Sequence, residues 1–245
     1  MTGIEDERLM REYMKQKEEL EKLIVELQSQ MTQTNIPLDR KYTEKYPIYN
    51  AAAILGQNQG DLLRLKLFVN KKCNQISNDM QHTQGIIQDI RAYEKDGVFR
   101  DIFLLKLLDQ GKVTVASHLD FYRPLGFILS QLDASYESFY VRLLIYKSAN
   151  EAEIKGIYAI YFGALYYKND YKGAWFFLAS ILNVAPGAHT PHVLQVYFVI
   201  LAELLGNHSK RRLAKILSYL NRIYFVKMNN HPIQIRITQA IEKYI

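Results

Sequence analysis

The chain has 245 residues, 49% apolar, 12% aromatic and 23% charged, with a formal net charge of +6, which is enough to bury a sizeable core and excludes a disordered chain. Its 12 Gly and 6 Pro make up about 7% of the residues against an average of about 12%, too little turn punctuation for an all-β sandwich or barrel. The one cysteine, Cys73, excludes an internal disulfide and a Cys-based zinc site, which suits the reducing cytosol or nucleus.

The start of the chain, residues 1–11, is charged and lacks the pattern of a signal peptide. From Met10 the apolar positions run Met10, Tyr13, Leu20, Ile24, Leu27 and Met31, a spacing of three and four that predicts a coiled-coil helix. Pro37 and Pro47 bound a link. A second segment, about 59–93, carries Leu62, Leu65, Val69, Ile76, Met80, Ile87 and Ile90 near the same period. The simplest arrangement is an antiparallel helical hairpin over roughly residues 5–95, with padding of the main domain as the other reading. Lys95-Asp96-Gly97 reads as a helix stop, so the chain divides into a helical, coiled-coil-like segment, 1–97, and a denser apolar domain, 98–245.

Within that domain helices are predicted over about 98–109, 118–132, 135–148, 151–168, 171–184, 191–205, 209–227 and 232–244. Ser135, Thr190 before Pro191, and Asn230 before Pro232 are the expected start signals, and Gly206 the expected end of one helix. The 154–168 stretch is rich in strand-favouring Ile, Tyr and Phe, yet Ile157, Ile160, Tyr161, Ala164, Leu165 and Lys168 follow helical spacing, so helix is preferred there. Short links between such helices predict an all-α array, solenoid-like or compact. No run is long and apolar enough to span a bilayer; Val193 to Leu205 comes nearest and contains Glu203.

Motifs for catalysis are lacking: there is no phosphate loop, dinucleotide fingerprint, nucleophile elbow or zinc-protease helix. His189 and His192 flank Pro191 and could both face a metal, but no third ligand is near, and capping or surface roles are preferred. Cys73 follows Lys71 and Lys72, whose charges would lower its pKa. Eighteen tyrosines among basic residues could stack on bases, yet those of 158–177 sit at core spacing, so helix packing is preferred. The charge itself is segregated. Residues 1–33 hold eight acids against five bases, whereas residues 207–245 hold Lys210, Arg211, Arg212, Lys215, Arg222, Lys227, Arg236 and Lys243 against Glu242 alone. A basic partner surface built on Lys210, Arg211, Arg212, Lys215 and Arg222 would attract RNA or an acidic protein; a solvated helix face is the plainer reading.

Several blocks resemble, in order, the C-terminal domain of the Gle-one family of nuclear-pore mRNA export factors. They are Gln110-Gly111, the Val115 to His118 run, Pro124-Leu125-Gly126, Gly156 to Leu165, Gly173 to Asn183, Gly206 and the closing helix from Ile235 to Ile245. The resemblance covers about 98–245. It implies a HEAT-like helical array, similar to the middle domain of translation initiation factor four-G. It further implies a non-enzymatic activator of a DEAD-box RNA helicase, held by an FG-nucleoporin at the cytoplasmic face of the nuclear pore, and leaves any role in translation open. In the family inositol hexakisphosphate is held by a cluster that includes an Arg-x-x-Lys-Lys-Cys run. The matching stretch here is Arg142 to Lys147, in which Ile145 and Tyr146 stand at the lysine positions and Lys147 at the cysteine position. Arg142 and Lys147 alone are too few cations to hold six phosphates, so weak or no binding of this ligand is expected.

Overall fold

The computed structural model describes residues 59–146, 150–228 and 231–245, all within one compact unit, Ile36–Ile245. The coiled-coil helix expected from Met10, the link at Pro37 and Pro47, and the Asn230 start signal lie outside the described residues. Every regular element among those described is helical. In chain order these are α1 (Gln59–Gln75), α2 (Met80–Arg91), α3 (Gly97–Gln110), α4 (Tyr122–Gln131), α5 (Ala134–Tyr146), α6 (Glu151–Tyr167), α7 (Tyr171–Leu182), α8 (Thr190–Tyr219) and α9 (Ile233–Glu242).

The segment expected to run unbroken over 59–93 is two helices. Ser77, Asn78 and Asp79 offer the backbone side-chain partners that compete with a helix, and Asp79 caps α2 by accepting from the N–H groups of Gln81 and His82. The hairpin expected over 5–95 has its first arm outside the described residues; of the second, α1 lies against α3, and α2 against α4. Val69, Cys73 and Ile76 of the first, and Ile86, Ile87 and Ile90 of the second, enter the same buried cluster as Phe99 and Phe103. Burial pushes the Cys73 thiol up to about 12, opposite to the lowering expected from its lysine neighbours. Desolvation of a thiolate outweighs charges that remain in solvent. Maleimide labelling of Cys73 is therefore expected to be slow in the native protein and fast in denaturant, as followed by mass spectrometry.

Of the start signals expected at described residues, Pro191 stands in the first turn of α8, but neither Ser135 nor Thr190 is the capping acceptor. Asp96 caps α3, taking N–H groups from Val98 and Phe99, so the expected stop is a start. For α5 the acceptor is Asp133, bonded by the Ser135 N–H at 2.8 Å, and not Ser135 itself. Thr190 accepts from Gly187 and lies inside α8, while His189 at the cap position makes no capping bond. Asn150 caps α6 by accepting from the Glu153 N–H, and its own amide returns to the Glu153 carboxylate. The same helix ends on Asn169 in the left-handed region (φ 53°), with the Asn169 N–H donating to Tyr166 and that of Asp170 to Leu165.

The central element is α6. Its residues from Gly156 to Leu165 are all buried, as expected of a helix apolar on every side. Two glycines on one face let its neighbours approach. A Cβ on Gly156 would lie 2.0 Å from the Gly111 carbonyl oxygen, and one on Gly163 would lie 3.3 Å from the Gly126 Cα. Gly111 opens a widened π turn, Gly111–Val115, that follows α3 and had no signature in the hydrophobic period. On the other side α6 packs against α8 and α7 through Phe162, whose ring sits 5.0 Å from Phe177 and 5.2 Å from Tyr197.

Tyrosines fill this interior, but their hydroxyls do not reach for solvent. Tyr140 donates to Ile157 at 2.9 Å, Tyr197 to Ala174 at 2.7 Å and Tyr224 to Ile181 at 3.1 Å, each closing on a helix carbonyl. Tyr197→Phe is expected to lower stability by about 1 kcal/mol in urea denaturation, the net worth of one buried hydrogen bond.

Candidate partner-binding surface

The C-terminal half of α8 is set apart by a kink. At Ser209 the backbone leaves helical angles (φ −163°, ψ 94°), and the Ser209 hydroxyl accepts from the Arg212 N–H at 3.3 Å. The chain therefore restarts there as a capped helix, with Lys210, Arg211 and Arg212 as its first turn. Gly206, expected to end the helix, lies before the break; a Cβ there would meet the Tyr244 carbonyl oxygen at 2.8 Å. Gly206 thus serves the packing of the chain end beyond α9 against α8 and not a helix stop.

Leu213, Leu217, Leu220 and Tyr224 bury the inner face of the restarted helix. The outer face keeps Lys210, Arg211, Arg212, Lys215 and Arg222 exposed, with Ala214, Ser218 and Asn221 between them. Arg211, Lys215 and Arg222 follow the i, i+4, i+11 spacing of one stripe. A π turn at Leu220–Tyr224 then shifts the register, and Ile223 and Val226 stand out into solvent.

Some of the lysines and arginines elsewhere are answered by acids. Lys72 pairs with Asp89, Arg100 with Asp101, Lys112 with Glu153, Arg123 with Asp120 and Lys168 with Glu137. Beyond Lys168 none of the lysines or arginines pairs with a described acid, and residues 204–241 contain no Asp or Glu at all. The basic surface expected from Lys210, Arg211, Arg212, Lys215 and Arg222 is thus contiguous and uncompensated. At its start the exposed His208 ring stacks on Tyr171 of α7, centroids 3.8 Å apart and planes 19° from parallel. Charge counting found the cations; the stack joins residues 37 apart in sequence and had no local signal.

Of the other expected site, Arg142 belongs to α5 with its side chain outside the described atoms, and Lys147 lies outside the described residues. Among the described residues no group of three His, Cys, Asp or Glu could hold a metal ion, and no helix is long and apolar enough to cross a membrane.

His192, expected at a surface or cap, is instead buried where α8 begins. Its Nε2 lies 3.2 Å from the Glu151 carboxylate, its edge faces the His231 ring, and its Nδ1 has no partner. Burial lowers its pKa from the usual value, helped by Lys155 and His231 and opposed by Glu151. A histidine whose folded pKa is depressed stabilises the fold above its unfolded pKa, near 6.5, and loses that contribution as pH falls. The melting temperature is expected to drop between about pH 7.5 and 5.5, and His192→Gln to flatten that drop, as read by circular dichroism.

The described part of the chain is thus an all-helical unit bearing one uncompensated basic face. No family model, no curated protein and no solved structure matches it.

Proposed function

We propose that this protein is a shortened relative of the Gle-one family: a HEAT-like, non-enzymatic activator of a DEAD-box RNA helicase in mRNA export at the cytoplasmic face of the nuclear pore. The observation that carries the reading is the order and spacing of the resembling blocks across residues 98–245. Their glycines are consistent with it, since Gly111, Gly126, Gly156 and Gly206 all stand where another segment's backbone comes within about a van der Waals contact.

The activator does no chemistry in this scheme. It binds the two helicase lobes more tightly in an opened arrangement, shifts the population toward that state, and so hastens release of RNA and nucleotide. An FG-nucleoporin would hold it at the pore. Inositol hexakisphosphate contributes little, because Ile145 and Tyr146 replace the lysines that would neutralise it.

The purified chain is expected to raise the RNA-stimulated ATPase rate of its cognate DEAD-box protein several-fold, with or without inositol hexakisphosphate. An unchanged rate at saturating protein would refute the activator, and tight, salt-sensitive binding of the inositol phosphate in calorimetry would refute direct docking.

A further inference from the structure

We propose that the restarted half of α8 is a binding face for the phosphate backbone of single-stranded RNA, with the His208–Tyr171 stack as a base platform at its upstream end. The inference does not depend on the helicase reading.

Charge is the first ground. Lys210, Arg211 and Arg212 occupy the first turn of a capped helix, the positive pole of its dipole, where acids are favoured and cations are not. They are exposed, unanswered by any described acid, and continued along the stripe by Lys215 and Arg222. An arrangement that lowers the stability of the free protein gains when an anion arrives, because the dipole and the side chains then act together. At 1.5 Å per residue the stripe from Arg211 to Arg222 spans about 16 Å, the reach of about four phosphates on a single strand, where neighbouring phosphates lie about 6 Å apart.

Two further observations select RNA over an acidic protein. Protein interfaces centre on exposed apolar or aromatic anchors and deplete lysine there. Here no large apolar side chain is exposed among the cations from Lys210 to Arg222, where Ala214, Ser218 and Asn221 leave the stripe flat, and Ile223 and Val226 stand out only past its end. The second is the stack. The His208 ring is exposed, backed by Tyr171 at 3.8 Å, and adjoins Ser209 and Lys210, so a base can lie on its free face while its phosphate meets the first-turn cations. An acidic peptide has no use for that ring.

The test is fluorescence anisotropy of the full chain with a labelled uridine RNA of about twelve nucleotides. Raising salt from about 50 to about 200 mM is expected to weaken binding about fiftyfold, the result for four phosphates neutralised on a single strand. The double variant Arg211→Glu, Arg212→Glu is expected to lose at least tenfold in affinity at the lower salt, and His208→Ala several-fold. The charge-matched control Lys66→Glu, Lys71→Glu on the exposed face of α1 is expected to change affinity by less than threefold. Misfolding does not confound the result: Arg212→Glu places a carboxylate three residues after the Ser209 cap, the capping-box spacing, so the melting temperature of the double variant is expected to rise or hold. Three results would each overturn the proposal. They are no binding at the lower salt, equal losses in the two double variants, and displacement of the RNA by polyglutamate of matched charge at equal concentration, which would assign the face to an acidic protein.

Discussion

Gly156→Ala is expected to lower stability by at least about 3 kcal/mol, a loss read as a shift in the urea midpoint with unchanged slope. The added Cβ would stand 2.0 Å from the Gly111 carbonyl oxygen and 2.8 Å from the Ala116 N–H nitrogen. Both are backbone atoms, and neither can step aside alone. The Ala116 N–H donates to Gly111 O across the π turn, so displacing one displaces the other. That turn is itself pressed on α6, since a Cβ on Gly111 would meet the Ile157 Cα at 3.0 Å. The substitution therefore separates α6 from the segment that links α3 to α4, or strains both. Gly85 supplies the comparison. It lies on the exposed side of α2 with nothing within 4 Å of its ideal Cβ, so Gly85→Ala is expected to stabilise by up to about 1 kcal/mol through helix propensity alone. Opposite signs from one chemical change would show that the Gly156 effect comes from the contact and not from the helix.

The contrast also marks what could be read from the residues in order. Apolar spacing located α3, α5, α6, α7 and α9 within a few residues, because each presents its core positions at the helical period and begins near a side chain able to cap it. The same spacing ran past the break at 76–79, since Ile76 and Met80 stay in register across it. It gives no hint of the π turn at Gly111–Val115, which changes the hydrogen-bond step without interrupting the apolar period. Gly206 is a near miss: the spacing divides this stretch into helices over about 191–205 and 209–227, and a break is there, at Ser209. A glycine near the end of an apolar run resembles a helix stop, but its lack of a side chain is used by the chain end at Tyr244, and Ser209 makes the break. For the candidate face, the count of cations after residue 207 found the right side chains, because charge excess needs no geometry. That they share one unpaired stripe, and that a histidine at its head is backed by a tyrosine from α7, depends on tertiary contacts. His192 and Cys73 depart from their sequence neighbours' influence for a common reason: burial dominates a side chain's ionisation, and burial belongs to the fold and not to the neighbours in sequence.

Phe162→Ala is the second large effect expected, a loss of about 3–5 kcal/mol, and it should leave the basic face intact. Phe162 is fully buried and meets four rings: Phe177 at 5.0 Å, Tyr197 at 5.2 Å, Tyr161 at 5.7 Å and Tyr158 at 5.8 Å. The first two come from α7 and α8, so the ring joins three helices within one aromatic cluster, in which Phe177 also meets Tyr158, Tyr161 and Tyr197. Neighbouring rings cannot collapse into the space. Tyr197 is held at its far end by the hydrogen bond to Ala174, and moving it would forfeit that bond. The cost is thus the transfer term together with an unfilled cavity. Phe162→Leu keeps most of the volume and is expected to lose less than half as much. The cations of the face begin at Lys210, beyond the kink at Ser209, and stand on a helix whose inner face is Leu213, Leu217 and Leu220. Well below its lowered midpoint, Phe162→Ala should therefore still bind RNA with the salt dependence of the unaltered chain, while Arg211→Glu with Arg212→Glu does the reverse, holding the midpoint and losing the binding. If the core variant lost binding in parallel with its stability, the face would have to be positioned through Phe162 and not by the restarted helix alone.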